Sequence, residues 1–228
     1  MKPIVSIVMP ALNEASTIAQ TLQSARVLET IGLDMELILV DGGSQDNTKG
    51  VARPLADQIL DAARGRARQM NAGAVKATGD YLMFLHADTQ LTTQAATELQ
   101  HTLTQNPIWG RFDVCIEGRP FMLRIISFMM NLRSRLTGIA TGDQAIFVRR
   151  DVFEALGGFT DQPLMEDIEI SKQLRKQARP ACLKGPVMTS GRRWETHGVW
   201  STMVLMWRLR WRYWRGESAQ ALARAYQR

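Results

Sequence analysis

The stretch Tyr81 to Thr89 reads Tyr-Leu-Met-Phe-Leu-His-Ala-Asp-Thr: five residues suited to a buried strand run straight into His86-Ala87-Asp88. Open α/β sheets bind ligands at the carboxyl ends of their strands, which is where Asp88 would stand. An ionised Asp is costly to leave there without a partner. A hard divalent cation bridging Asp88 to nucleotide phosphates would be that partner, because Mn²⁺ and Mg²⁺ favour carboxylate and substrate oxygens. Capping of the next helix is the competing explanation, but that helix is expected to start near Thr92, too far on. A second carboxylate, Asp41, closes another strand pattern in Val40-Asp41-Gly42-Gly43-Ser44, where glycines permit a tight loop and close ligand approach. Arg64, Arg66 and Arg68 gather at a helix start, a poor place for cations unless an anion is bound, so at least one is expected to meet phosphate or base. Glu166-Asp167 opens a further helix. Capping would explain one acid; a general base explains the pair, since the neighbouring charge would hold the pKa of Asp167 up.

These groups need elements to carry them. Ile4 to Met9 reads as a first buried strand, followed by a helix from about Ala15 to Glu29 with Ile18, Leu22 and Ala25 inward. Glu36 to Val40 is a second strand, with Ser44 or Asp46 available to cap the helix after it. Ile59-Leu60 is a third, and the helix beginning at Arg64 turns Ala67, Met70 and Ala74 inward. Strands and helices alternating with short connections predict an α/β fold with a mostly parallel sheet. Beyond it, the helix Thr92 to Gln105 is scaffold with His101 on its surface, and Trp109 to Cys115 is a strand. Phe121 to Leu136 is apolar at helical spacing and interrupted by Arg124 and Arg133. Core packing is expected for it, with a membrane-dipping or acceptor-lining role as the alternative. Thr141 to Arg150 is a polar turn leading into a strand, and the helix Asp151 to Leu156 ends on Gly157-Gly158. Ile170 and Leu174 give the inner face of the helix after Glu166.

In this order, at these strand ends and helix starts, the pieces resemble the inverting family 2 glycosyltransferases, which have a GT-A, Rossmann-like fold. The resemblance runs from Ile4 to about Trp194 and rests on Val8-Met9-Pro10-Ala11-Leu12-Asn13-Glu14, Val40 to Ser44, His86-Ala87-Asp88, Gly142-Asp143-Gln144, Glu166-Asp167 and Arg192-Arg193-Trp194. It implies a nucleotide-diphospho-sugar donor, a UDP-sugar foremost, and Mn²⁺ or Mg²⁺ as cofactor. Pro10, Ala11, Asn13, Glu14, Asp41, Gly43 and Ser44 correspond to nucleobase and ribose contacts. Arg64 and Arg68 lie where basic residues approach base or diphosphate, and Ala87 and Asp88 belong to the donor and metal motif. Gly142, Asp143, Gln144, Arg193 and Trp194 border acceptor and diphosphate, while Asp167 beside Glu166 matches the base that deprotonates the acceptor hydroxyl. Two departures matter. His86 replaces the first acid of the Asp-X-Asp motif, and the closing motif lacks its Gln, which favours single-sugar transfer over processive synthesis.

The totals agree with one domain and a peripheral extension: 228 residues, 45% hydrophobic and 22% charged. The expected division is 1–198 for the GT-A domain (1–115 the nucleotide-sugar half, 116–198 the acceptor half) and 199–228 for a basic, Trp-rich helical tail. Two cysteines without metal spacing suit a reducing cytoplasm. The N-terminus opens on a strand pattern, so no signal peptide is expected, and no window reaches the ~18 apolar residues of a spanning helix. The formal charge of +6 lies wholly after Gly191, where 8 Arg meet 2 Glu. A nucleic-acid binder would carry a basic stripe on its reading face, so none is expected as a partner. In the tail, Trp200, Val204, Trp207, Trp211 and Trp214 form one helical stripe and Leu205, Leu209 and Tyr213 another. With one stripe docked, the other would lie exposed among arginines, suiting the anionic cytoplasmic face of a membrane through 200–215; a core helix or a dimer contact would explain it otherwise. Two further functions compete with the transferase: nucleotidyl transfer, which would want a Gly-rich basic loop after the first strand, and a non-catalytic nucleotide-sugar-binding or membrane-partner protein.

Overall fold

Alternate residues of the leading strands go to opposite faces of one sheet, and both faces are covered. In β1 (Val5–Ala11), Val5, Ile7, Met9 and Ala11 join one apolar layer while Val8 joins the other. In β2 (Met35–Asp41), Leu37 and Leu39 take the first layer, Ile38 and Val40 the second. Burial on both faces is why these strands read as unbroken apolar runs. The computed structural model describes residues 3–226, so the outer ends of the expected 1–198 and 199–228 segments lie outside the described residues.

β1 pairs in parallel with β2 on one side and β4 (Tyr81–Phe84) on the other, and β2 pairs in parallel with β3 (Gln58–Asp61). The parallel half is as expected. Beyond β4 the sheet is mixed: β7 (Ile146–Arg149) runs antiparallel to β4, β6 (Trp109–Glu117) antiparallel to β7, and β8 (Ala181–Ser190) parallel to β6. The short β5 (Thr89–Leu91) closes the order β3-β2-β1-β4-β7-β6-β8-β5. β8 is a strand that the sequence pattern conceals. Lys184, Gly185 and Pro186 break its alternation, and the ladder absorbs them by a register shift opposite Phe112 and Asp113.

On the first face lie α1 (Ile18–Ala25), α2 (Val27–Thr30), α3 (Thr48–Ala52) and α5 (Thr93–Leu103). The helix expected from Ala15 to Glu29 is therefore two shorter ones, broken at Arg26. On the second face, α4 (Arg66–Lys76) presses so closely that a Cβ on Gly73 would fall 2.4 Å from Val8 Cγ1. α7 (Arg150–Ala155) and α8 (Glu166–Gln177) share that layer through Phe153, Ile170 and Leu174.

The later helices are two-faced. α6 (Met122–Thr137) buries Leu123, Ile126, Ser127 and Ser134. Its other side is exposed, so the expectation of core packing holds for one face only. α9 (Arg192–His197) leads into α10 (Val199–Trp214), which turns Leu209 into a small cluster with Leu164, Met165 and Leu222 of α11 (Ala219–Tyr226). The Leu stripe docks, and the Trp stripe faces out.

Candidate active site

β1, β2 and β4 end on the same side of the sheet, with Ala11 in register with Asp41 and Val8 with Phe84. There Asp41 is fully buried. Its Oδ2 accepts from the N–H of Gly43 (2.9 Å) and Ser44 (2.8 Å), and the Ser44 hydroxyl donates to Oδ1. Asp41 thus shapes the glycine loop from beneath. Gly43 (φ 90°) and Asn13 (φ 57°) form its exposed rim. The N–H of Asn13 donates to Ser44 Oγ (2.9 Å), and Asn13 Oδ1 accepts from the N–H of Gln45 (2.8 Å). Of the two candidate caps, the Ser44 hydroxyl is committed here, and Asp46 accepts from the N–H of Thr48 at the start of α3. Gln69 of α4 ties the two strand ends together, donating to Ala11 O and Val40 O at 2.9 Å each. Pro10 is buried within β1, and Glu14 meets Arg192 at 3.5 Å.

Beyond β4, the chain turns at His86-Ala87-Asp88. Ala87 O accepts from the Thr21 hydroxyl (2.8 Å), and Asp88 is held by its backbone, its O accepting from the N–H of Ser190 (3.1 Å). The Asp88 carboxylate makes no hydrogen bond or ion pair with the described residues, and Thr92, not Asp88, caps α5. His86 Nδ1 lies 3.3 Å from Asp143 Oδ1. Burial disfavours charge on both members of this pair, but their mutual hydrogen bond and attraction prevail, raising the pKa of His86 and lowering that of Asp143. A Cβ on Gly142 would come within 2.4 Å of the His86 ring, so only glycine lets the two turns meet.

Gly142-Asp143-Gln144 is a 3₁₀ turn immediately before β7, the neighbour of β4. Gln144 is buried and structural, accepting from the N–H of Thr141 (3.2 Å) and donating to Asn131 (3.3 Å). The N–H of Gly142 donates to Asp167 Oδ2 at 3.0 Å, which brings the first turn of α8 to the same place. Burial first, and then the adjacent Glu166 charge, push the Asp167 carboxyl up to about 6. Glu166 is buried, with Oε1 3.2 Å from Arg66 Nε and Oε2 unpartnered. Arg66, desolvated yet kept charged by Glu166, Asp167 and Asp143, is the cation at the centre of this cluster.

Of the three arginines, Arg64 is exposed in the loop before α4, and Arg68 forms an ion pair at the surface with Asp161 (2.9 Å). Alternation around the start of α4 is the only sequence signal that separates Arg66 from them. Arg193 lies against the ring of Tyr226 at 3.8 Å, and Trp194 packs on Ile116, Leu123 and Ile126. Among the described residues, no group of three or more His, Cys, Asp or Glu makes a ready metal cage. The donor set instead fits a hard ion that takes one carboxylate, Asp88, and completes its shell with phosphate oxygens and water.

Parallel strands leading to a cluster of carboxylates around one guanidinium, with a mixed second half behind them, define a GT-A glycosyltransferase fold. The chain belongs to glycosyl transferase family 2, whose family model matches residues 6–157. A relative from Mycobacterium bovis, a "PGL/p-HBAD biosynthesis glycosyltransferase", is 31% identical over 175 residues, covering 69% of this chain and 63% of that protein. The chain thus spans just under two thirds of the length of this curated relative. Among solved structures, Staphylococcus aureus TarS 1–349 in complex with UDP superposes with a TM-score of 0.66 at 16% identity, covering 82% of this chain and 60% of that one. The mannosyltransferase PcManGT of Pyrobaculum calidifontis, in complex with GDP-Man and Mn²⁺, gives 0.61 at 21% identity, covering 83% and 57%.

Proposed function

We propose that this protein moves a single sugar from a nucleotide-diphospho-sugar, a UDP-sugar foremost, to an acceptor hydroxyl with inversion. One observation carries the reading: a carboxyl raised toward neutrality, Asp167, is tied through Gly142 to the turn that meets His86, two residues from the unpartnered Asp88. The acceptor oxygen attacks the anomeric carbon, the bond to the β-phosphate oxygen breaks, and the acceptor proton passes to Asp167. Displacement from one face inverts that carbon and needs no carboxylate nucleophile. When bound, Mn²⁺ or Mg²⁺ at Asp88 would neutralise charge growing on the diphosphate.

The rim made by Asn13, Glu14, Gly43 and Ser44 takes the base and ribose in this reading, over a floor of Pro10, Ala11 and Asp41. Arg64 and Arg68 are free to reach base or diphosphate, Arg68 on leaving Asp161. Gly142, Asp143, Gln144, Arg193 and Trp194 frame the acceptor side, so the nucleotide half is 1–115 and the acceptor half 116–198. Peripheral placement on the cytoplasmic face of a membrane, through 200–215, belongs to the same reading and is supported by the exposed Trp stripe.

Thermal unfolding with nucleotides is the test. UDP should raise Tm only when Mn²⁺ or Mg²⁺ is also present. If neither UDP, GDP nor their sugar conjugates shifted Tm with either metal, the donor site would be refuted.

A further inference from the structure

Among the described residues, thirteen large hydrophobic side chains are exposed, and eleven of them lie on two helices or at their ends. Phe121, Ile125, Phe128, Met129, Leu132 and Leu136 line the outer side of α6; Trp200, Val204, Trp207, Trp211 and Trp214 line that of α10. Trp207 is 64% exposed and Trp214 82%. Apolar surface concentrated in this way marks an interaction face.

The two stripes share a joint. Val199, the first residue of α10, packs with Trp194 on Leu123 and Ile126 of α6 and on Ile116. Each helix is 16 residues long, about 24 Å of axis. Charge selects the partner. The two helices carry six arginines (Arg124, Arg133, Arg135, Arg208, Arg210 and Arg212) and neither Asp nor Glu. Together the two helices therefore carry six positive charges and no negative one. Arg215, just after α10, lies over the ring of Trp211 at 4.9 Å. Arg135 and Arg212 are paired with Asp113 and Glu217, and Arg133 is turned inward. Arg124, Arg208, Arg210 and Arg215 remain beside the exposed aromatic and aliphatic side chains, and tryptophan flanked by such arginines is what an anionic headgroup layer over hydrocarbon takes up.

We propose that the outer faces of α6 and α10 form one surface that lies on an anionic lipid bilayer, extending to a second helix the membrane placement in the functional reading on which it rests. The inner faces of the same helices touch the catalytic elements. Asn131 of α6 receives the Gln144 amide at 3.3 Å, and the Tyr213 hydroxyl of α10 donates to Glu169 of α8 at 3.0 Å. Docking therefore sets the site directly above the lipid, where an acceptor borne by a lipid would arrive.

The test is flotation of the full chain with vesicles of equimolar phosphatidylcholine and phosphatidylglycerol, against phosphatidylcholine alone. The chain should float with the anionic vesicles. Trp207→Ala/Trp211→Ala on α10 and Phe128→Ser/Leu132→Ser on α6 should each weaken partition about tenfold or more. Arg208→Glu/Arg215→Glu should remove most of the preference for anionic lipid, as should high salt. Failure to float overturns the proposal. So does an α6 variant that binds normally, or a dimer in solution that the same substitutions split, which would make the face a protein interface. Metal-dependent stabilisation by UDP is measured on the same samples: kept while flotation fails, it condemns the surface alone; lost while flotation persists, it condemns the donor site alone.

Discussion

The cleft and the outer surface of α6 and α10 reverse the usual placement of side chains. In the cleft, His86, Glu166 and Asp167 are drawn largely out of water against Arg66 and Asp143, which stay partly exposed. On the helices, tryptophan, phenylalanine and leucine stand in solvent. Buried charge and contiguous exposed apolar surface are both unfavourable for a free domain. Each is tolerated where a ligand or partner completes it, so the two anomalies mark the two places where this fold awaits something. They differ in kind. The cleft is already largely internally paired and needs only small changes to act, whereas the helix surface has no partner at all among the described residues.

The largest effect should come from breaking the cleft at its base. Asp167→Asn keeps an oxygen for the N–H of Gly142 but cannot accept a proton. Transfer should fall by about 10³-fold while metal-dependent nucleotide affinity changes less than about twofold. Because the wild-type carboxyl is raised to about 6, kcat/KM should decline as pH falls through that value. A variant turning over at the wild-type rate would remove Asp167 from the chemistry. Next in size is Asp88→Ala. With the carboxylate gone, the affinity gain that Mn²⁺ confers on UDP should drop by about tenfold to a hundredfold in calorimetric titration. An unchanged gain would mean that the ion is held elsewhere.

The third prediction concerns how the cleft was built. Gly142→Ala forces a methyl into the His86 ring and should destabilise the fold by about 1–3 kcal/mol in urea unfolding. His86→Ala should relieve most of that cost in the double variant. Additive losses would show that the two turns do not press on each other.

What was legible in the chain follows the same contrast. Strand tips announce themselves: apolar runs ending in Asp41 and in His86-Ala87-Asp88 are local patterns, and the sheet sets them at the same end, on either side of β1. The opposed stripes of α10 were equally plain, because helical spacing of four and three is a local rule. What escaped were contacts between distant segments. Alternation sets Arg66 apart from Arg64 and Arg68, but nothing near it names Glu166, a hundred residues later, as its partner. Likewise, β8 is hidden by Lys184-Gly185-Pro186, since only its partner β6 can absorb the bulge. α6 was misjudged for a related reason. Apolar residues occur on every side of it between the arginines, and the arrangement of Leu123, Ile126 and Ser127 against β6, with Phe128 and Leu132 left outside, is settled by the neighbour.

The smallest expected effect separates stored electrostatic strain from ordinary packing. In the unfolded chain, Asp167 titrates near its usual value of 3.8; in the fold, burial and Glu166 raise it to about 6. The native state therefore binds this proton more tightly. Its stability is undiminished below pH 3.8, falls as pH rises between the two values, and stays lowered above 6. Asparagine has no proton to lose, so Asp167→Asn should gain about 2–4 °C in Tm at pH 7.5. The gain should shrink toward zero by pH 4, where the wild-type carboxyl is protonated as well. A difference of the same size at both pH values would assign it to packing. Asp167 would then not be a base held ready at a cost to the fold.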